Sequence, residues 1–295
     1  METIQISEET FISFLPKRDE NTSKFDYGKA TIIGGSLDYG GAPLLSLAAL
    51  SALRLGVGFS ILYVPEPLYS IYIGRNPQII VHPFPSKNGN ICFDEETIKS
   101  IANKSSSIAI GMGITEFEET KKILEYLLLN YHGSLIIDAG AITALSEIDS
   151  NYLKDPSCSL LITPHTGEFS RLYKKPRTEI EKNPLDSLLD YLEGKKMTVI
   201  LKGHTTYISN GKETYVSSFG NTGLSKAGSG DLLSGILCGI LAQNINAPFI
   251  KKAVFGSYLL GKSAELLLKE ENEYSIIADD IIRILPRAIA PCVDQ

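Results

Sequence analysis

Short apolar runs, each ended by glycine, proline or a polar turn, recur along most of this chain and alternate with helical patterns. Ala30-Thr31-Ile32-Ile33 is a compact β-branched run stopped by Gly34-Gly35, which reads as a buried strand entering a turn. Ala42–Leu55 is small and apolar on nearly all sides, as in a helix packed between other elements, and Phe59–Val64 reads as the next strand. Ile108-Ala109-Ile110 precedes Gly111-Met112-Gly113, Leu135-Ile136-Ile137 precedes Asp138, and Leu160-Leu161-Ile162 precedes Thr163-Pro164-His165. Thr198–Leu201 then runs into Lys202-Gly203. Helical patterns cover Glu116–Asn130, Ala141–Leu145, Asp231–Gln243, Phe249–Glu270 and Ala278–Leu285. Thr205–Ser209 and Glu213–Ser217 flank Asn210-Gly211, which predicts a hairpin closed by a two-residue type I′ turn.

This alternation predicts an α/β fold, a mostly parallel central sheet with helices on both faces. The first 26 residues are polar and mixed, with a short helix near Ser7–Phe14, and are expected to pack as an extension on one domain spanning residues 1–295. In such sheets ligands sit beyond the carboxyl ends of the strands. Those ends carry Gly34-Gly35, Gly111-Met112-Gly113, Asp138, His165 and Lys202-Gly203, so one rim should collect the chemistry.

Composition narrows the function more than the fold. The net charge of −6 gives no electrostatic footprint for a nucleic acid. The four cysteines, Cys92, Cys158, Cys238 and Cys292, lack the close spacing of a zinc or redox pair and read as free thiols. The N-terminus has no signal-peptide pattern, and the most apolar helical stretch, Leu232–Ala242, is too short to span a bilayer. The expected location is the cytoplasm, without membrane attachment.

Two glycine-rich segments compete as phosphate binders. Gly256–Ser263 (GSYLLGKS) satisfies the G-x-x-x-x-G-K-[ST] pattern, but its flanks continue one helical pattern through the match. Amides bonded within a helix cannot cradle a phosphate, so these small residues are expected to permit close helix packing. Asn221–Asp231 (NTGLSKAGSGD) instead leads into an apolar helix. Its glycines let backbone amides turn toward one point, and the following helix adds free N–H groups and its positive dipole end. Asp231 is then either the cap of that helix or a functional acid at the mouth of an anion hole.

The segment Ala227-Gly228-Ser229-Gly230-Asp231 resembles the G-[TS]-G-D signature of ribokinase-like enzymes. Four further segments narrow the resemblance to the NAD(P)H-hydrate dehydratases. Tyr27–Ser36 with Gly41-Ala42 looks like that family's opening strand and substrate loop, and Asp138-Ala139-Gly140-Ala141 is similar to its D-A-[DG]-A segment. Thr163–Phe169 (TPHTGEF) resembles T-P-H-x-G-E-[FM], and Leu201–Thr206 (LKGHTT) resembles the L-K-G-x-x-[ST] nucleotide loop. The chain departs from the family where Met112 replaces the proline of Gly-Pro-Gly and where Ala227 replaces the first glycine of a pair.

The resemblance implies a three-layer ribokinase-like fold, with no room for a fused epimerase domain. It implies dehydration of the S form of NADH or NADPH hydrate, driven by ADP or ATP with Mg²⁺, and a homo-oligomer, commonly a tetramer. By the same resemblance Asp231 orients the hydrate's hydroxyl and accepts its proton, and Gly228, Ser229 and Gly230 form the anion hole. The helix N-terminus should favour the ionised form of Asp231, which would then act by placement more than by basicity. Lys202, Gly203, His204, Thr205, Thr206, Gly230 and Asn221 would run along the nucleotide. Ala42, Gly113, His165 and Asp231 would meet the hydrate, and Glu168 would contact the metal through water.

Structural alternatives stay open for three of these. His165 could bond the backbone at a helix entry, Glu168 could serve as an N-terminal helix acid, and Lys202 could be a solvated strand-end lysine. Asp138 could bond loop amides at its strand end, and His82 and His132 lie in no motif. Two rival functions share the signature: a kinase for a hydroxymethyl heterocycle, and a nucleotide-binding protein without turnover.

Overall fold

The structure, a computed structural model, describes residues 2–39, 48 and 50–294. These residues build a ten-stranded sheet in the order β1-β12-β11-β10-β9-β8-β7-β2-β3-β4. The strands are β1 (Thr3–Gln5), β2 (Lys29–Ile33), β3 (Phe59–Pro65), β4 (Ile80–Phe84), β7 (Ser107–Ile110), β8 (Ser134–Ile137), β9 (Ser159–Ile162), β10 (Thr198–Leu201), β11 (Thr206–Ser209) and β12 (Thr214–Ser217). Only β11 runs against its neighbours. A separate short hairpin joins β5 (Ser86–Lys87) to β6 (Asn90–Ile91).

Alternate residues of the central strands feed two apolar cores, one on each face. Ile32, Ala109, Ile136, Leu161 and Ile200 pack with helices Ser229–Leu241, Phe249–Leu267 and Ala278–Ile289. Ile33, Ile108, Ile110, Ile137, Ile162 and Leu201 pack on the other side with helices Glu95–Lys104, Phe117–Asn130, Thr166–Tyr173 and Pro184–Leu192. Burial on both faces explains why these strands read as continuous apolar runs rather than alternating ones. Among the described residues, no helix is long and apolar enough to cross a membrane.

Three local features differ from the sequence expectation. The N-terminal segment starts with a strand: β1 pairs in parallel with β12, and the expected helix is a single 3₁₀ turn at Glu8–Phe11. The hairpin tip moves by one residue. Asn210 donates its amide to Glu213 (3.3 Å), only Gly211 takes positive φ (+80°), and the Asn210 side chain accepts from the amides of Lys212 and Glu213. A type I′ turn on Asn210-Gly211 needs both residues at positive φ. Finally, Pro286 lies inside the last helix, which runs on to Ile289.

Candidate active site

The parallel strands deliver Asp138, His165 and Lys202 to one rim, immediately after β8, β9 and β10. His165 and Lys202 form a parallel bridge, and the Lys202 amide donates to Pro164 (2.8 Å). The Lys202 ammonium donates to Asp138 Oδ1 at 3.0 Å, while Ser234 Oγ donates to Asp138 Oδ2 at 2.8 Å. Asp138 is only 2% exposed, so its charge is matched from two sides rather than by water. Lys202 is therefore not a solvated strand-end lysine. It ties the turn after β10 through Asp138 and Ser234 to the helix carrying Asp231. Burial opposes its charge, yet Asp138, Glu168 and Asp231 together raise its proton affinity.

The glycine-rich turn opens that helix. Gly228 caps it at φ +98° and ψ −22°, a left-handed conformation that disfavours side chains. Among the described residues, no backbone carbonyl accepts from the amides of Gly230 or Asp231. The helix thus presents the Gly230 amide and its positive end to the rim, while the Asp231 amide meets its own carboxylate. Gly230 lies against the ion pair, with Lys202 Nζ and Asp138 Oδ2 3.5 and 3.6 Å from where its Cβ would be.

Asp231 differs from expectation in its acidity. Burial raises its pKa to about 6, the negative field of Asp138 adds to the rise, and Lys202 opposes it. Desolvation outweighs the helix terminus, so the carboxylate gains basicity as well as placement.

A cavity of about 850 Å³ adjoins these groups, within the size range of small-ligand sites. His165, Lys202, Gly203, His204 and Thr206 line one side, and Asn221, Ser229 and Gly230 line another. Thr205, Gly228 and Asp231 are not among its lining residues. Asn221 borders the cavity with its amide already engaged: it donates to Ala264 O (2.8 Å) and accepts from Gly223 N (2.9 Å). The segment 219–221 lies directly on the Phe249–Leu267 helix, where a Cβ on Gly261 would stand 2.6 Å from Phe219 O. The GSYLLGKS match is wholly helical, as expected, and its second glycine makes room for this cavity wall.

Sequence reasoning missed two struts of the site. Lys226 Nζ donates to the carbonyls of Glu273, Tyr274 and Ile276 at 2.7 to 3.1 Å. Glu273 lines the cavity and accepts from Thr222 N (3.2 Å). A lysine inside a glycine-rich turn carries no periodic signal, and its partners lie some fifty residues away. Ser234 could have been found, because it falls one helical turn after Asp231 on the same face.

His165 and Glu168 close on each other in a capping box. His165 Nδ1 accepts from Gly167 N (3.0 Å) and Glu168 N (3.3 Å), and Glu168 Oε2 accepts from His165 N (2.8 Å). With Nδ1 accepting, the proton of the neutral ring sits on Nε2, 3.5 Å from Glu168 Oε1. Burial lowers the His165 pKa, against the pull of Glu168. Both structural alternatives are thus realised, while His165 still faces the cavity.

The described residues gather no group of three His, Cys, Asp or Glu side chains that could hold a metal. Both Glu168 oxygens face His165, so a divalent ion here would depend on nucleotide phosphates and water. Gly113 takes φ +69°, and its missing Cβ would lie 3.2 Å from Gly35 Cα. This contact, with Gly35 N donating to Met112 O (2.8 Å), joins the two glycine loops after β2 and β7. Ala42 lies outside the described residues.

Comparison with known proteins agrees with this geometry. A family model described as NAD(P)H-hydrate dehydratase matches residues 30–287. An ADP-dependent (S)-NAD(P)H-hydrate dehydratase of Cenarchaeum symbiosum is 31% identical over 97% of this chain and 96% of its own. A bifunctional NAD(P)H-hydrate repair enzyme of Dictyoglomus turgidum is 35% identical over 89% of this chain. The chain spans about half the length of such bifunctional relatives, 50% in that case. The crystal structure of the Bacillus subtilis ADP/ATP-dependent NAD(P)H-hydrate dehydratase, co-crystallised with ATP and Mg²⁺, superposes with a TM-score of 0.83 at 26% identity, covering 99% of each chain. The fold is ribokinase-like, and the chain belongs to the NAD(P)H-hydrate dehydratase family.

Proposed function

We propose that this chain dehydrates the S form of NADH or NADPH hydrate, using ADP or ATP as phosphoryl donor. The observation that carries the reading is the position of Asp231: a half-buried carboxylate with raised proton affinity, on a helix whose Gly230 amide has no backbone acceptor, beside a cavity of small-ligand size. The hydrate's hydroxyl attacks the terminal phosphorus while Asp231 takes its proton, and the nucleotide leaves one phosphate shorter. Amides at Gly228–Gly230 and the Lys202 ammonium stabilise the charge on the transferring group. The new C–O–P bridge then breaks at carbon. The ring nitrogen's lone pair drives phosphate out, and the neighbouring carbon loses a proton to restore the dihydropyridine.

Lys202, Gly203, His204, Thr205, Thr206 and Asn221 are assigned to the nucleotide, His165, Gly113 and Ala42 to the hydrate. Mg²⁺ bound with the nucleotide would be met by Glu168 through water and would neutralise charge on the phosphates. A cytoplasmic location and a homotetramer complete the proposal, the tetramer by family likeness.

The test is absorbance at the reduced-nicotinamide band with purified protein, NADH hydrate, Mg²⁺ and either nucleotide. A nucleotide-dependent rise with release of free phosphate is expected. A phosphorylated hydrate that accumulates without the rise would instead assign a kinase, and no turnover with intact ADP binding would assign a binding protein.

A further inference from the structure

The opposite end of the sheet carries a second constellation that this chemistry does not use. β3 buries Ser60, Leu62 and Val64 in one core, but Phe59, Ile61 and Tyr63 on its other face remain half-buried. They help bound a cavity of about 510 Å³ that shares no lining residue with the one beside Gly230. The groove runs along β3 from Phe59 to Tyr63, beside β2 and β4 at one edge of the sheet, whereas Asp138, His165 and Lys202 follow the ends of β8, β9 and β10.

The floor of this groove is aromatic. The Phe59 and Phe25 rings are 5.3 Å apart, and Tyr63 stacks on the His82 imidazole with centroids 5.1 Å apart and planes 29° from parallel. Its rim is cationic. Lys24 Nζ lies 5.1 Å and Lys29 Nζ 5.7 Å from the Phe59 ring centre, and Lys104 completes the edge. No Asp or Glu lines the groove. Among the described residues none of these three lysines forms an ion pair. In a chain of net charge −6, that is a local reversal of sign.

We propose that this groove binds a planar anion, a ring-bearing phosphate ester of the nucleotide class. The ring would lie on the Phe59 and Tyr63–His82 floor, and the phosphate would meet Lys24, Lys29 and Lys104. Stacking rewards a flat ring, lysine serves phosphate as a point charge, and the cavity has the volume of a small-ligand site. A second copy of the chain fits the charge less well, because a two-fold contact centred here sets each lysine cluster against its own copy. The inference stands apart from the dehydration, since it involves none of the same residues.

The test is calorimetric titration of the full chain with ADP, and separately with inorganic phosphate, at low ionic strength. ADP should show two classes of site. The double substitution Lys24→Glu/Lys104→Glu, at two exposed positions, should weaken one class at least tenfold and leave the other unchanged. Phe59→Ala should weaken the same class, and inorganic phosphate should bind it less tightly than ADP. The proposal is overturned by a single class of ADP site in the wild type, by a second class that survives the double substitution, or by phosphate binding as tightly as ADP. A change in sedimented mass on substitution, with both ADP classes kept, would make the groove a contact between copies and overturn it equally.

Discussion

Gly228–Asp231 and Gly256–Ser263 are both glycine-bearing, hydroxyl-bearing segments, the first at the entry of an apolar helix and the second inside one, and only the first can offer backbone donors to a ligand. Gly228 sits outside its helix at φ +98°, and among the described residues no backbone carbonyl accepts from the amides of Gly230 or Asp231. Gly256 and Gly261 lie inside a nineteen-residue helix, where each amide is already used. Their value is the absence of a side chain: a Cβ on Gly256 would meet Leu237, and one on Gly261 would meet the Phe219 backbone. A glycine motif is therefore a phosphate site only where the hydrogen-bond ladder has not yet begun. The second segment still serves the site, by letting the cavity wall at 219–221 lie against the helix.

Substitutions should separate these two roles. The largest effect is expected from Asp231→Asn, which removes the base but keeps the turn: turnover should fall roughly 10²–10⁴-fold with ADP binding retained. Stability should move the other way. The folded protein binds more protons than the unfolded chain between roughly pH 4 and about 6, because burial raises the Asp231 pKa. Its contribution to stability therefore falls as pH rises through that window, and the full penalty persists above it. Asp231→Asn should stabilise the fold at pH 7.5 by on the order of 2–3 kcal/mol, read as a higher melting temperature, and the gain should vanish near pH 4. A variant with near-wild-type turnover would remove Asp231 from the mechanism.

Smaller effects belong to the helical glycines. Gly261→Val should destabilise by roughly 1–3 kcal/mol, because the Phe219 backbone cannot retreat easily, and should also weaken ADP binding measured by thermal shift. Gly256→Ala should stay within about 1 kcal/mol, since the flexible end of Leu237 can give way and alanine favours the helix. Equal losses in the two variants would break the distinction between them.

The parts of the fold legible in the sequence were those buried on both faces. β2 and β7–β10 are continuous apolar runs, and their ends announced the rim where Asp138, His165 and Lys202 meet. The edges were not legible. β1 is three residues long, too short for a period, and β4 contains His82 and Pro83, residues that an edge strand tolerates because one side of its ladder needs no donor. Within the site, Gly228, Gly230 and Asp231 carried their meaning locally. The acidity of Asp231 did not, because it depends on burial and on Asp138, which lies 93 positions earlier in the chain. The Lys202–Asp138–Ser234 network and the Lys226 strut are likewise contacts made only by the folded chain.

The central claim is that a half-buried carboxylate at a helix entry, Asp231, takes the proton from the hydrate's hydroxyl. Its most direct test is the pH dependence of nucleotide-driven NADH formation at saturating substrates, for wild type and Asp231→Asn, with the hydrate's own chemical stability controlled at each pH. The wild-type rate should rise tenfold per pH unit at low pH and level off above about 6, with that step lost from the variant's residual rate. A wild-type profile flat from pH 5 to 8, or the same step retained in the variant, would contradict it.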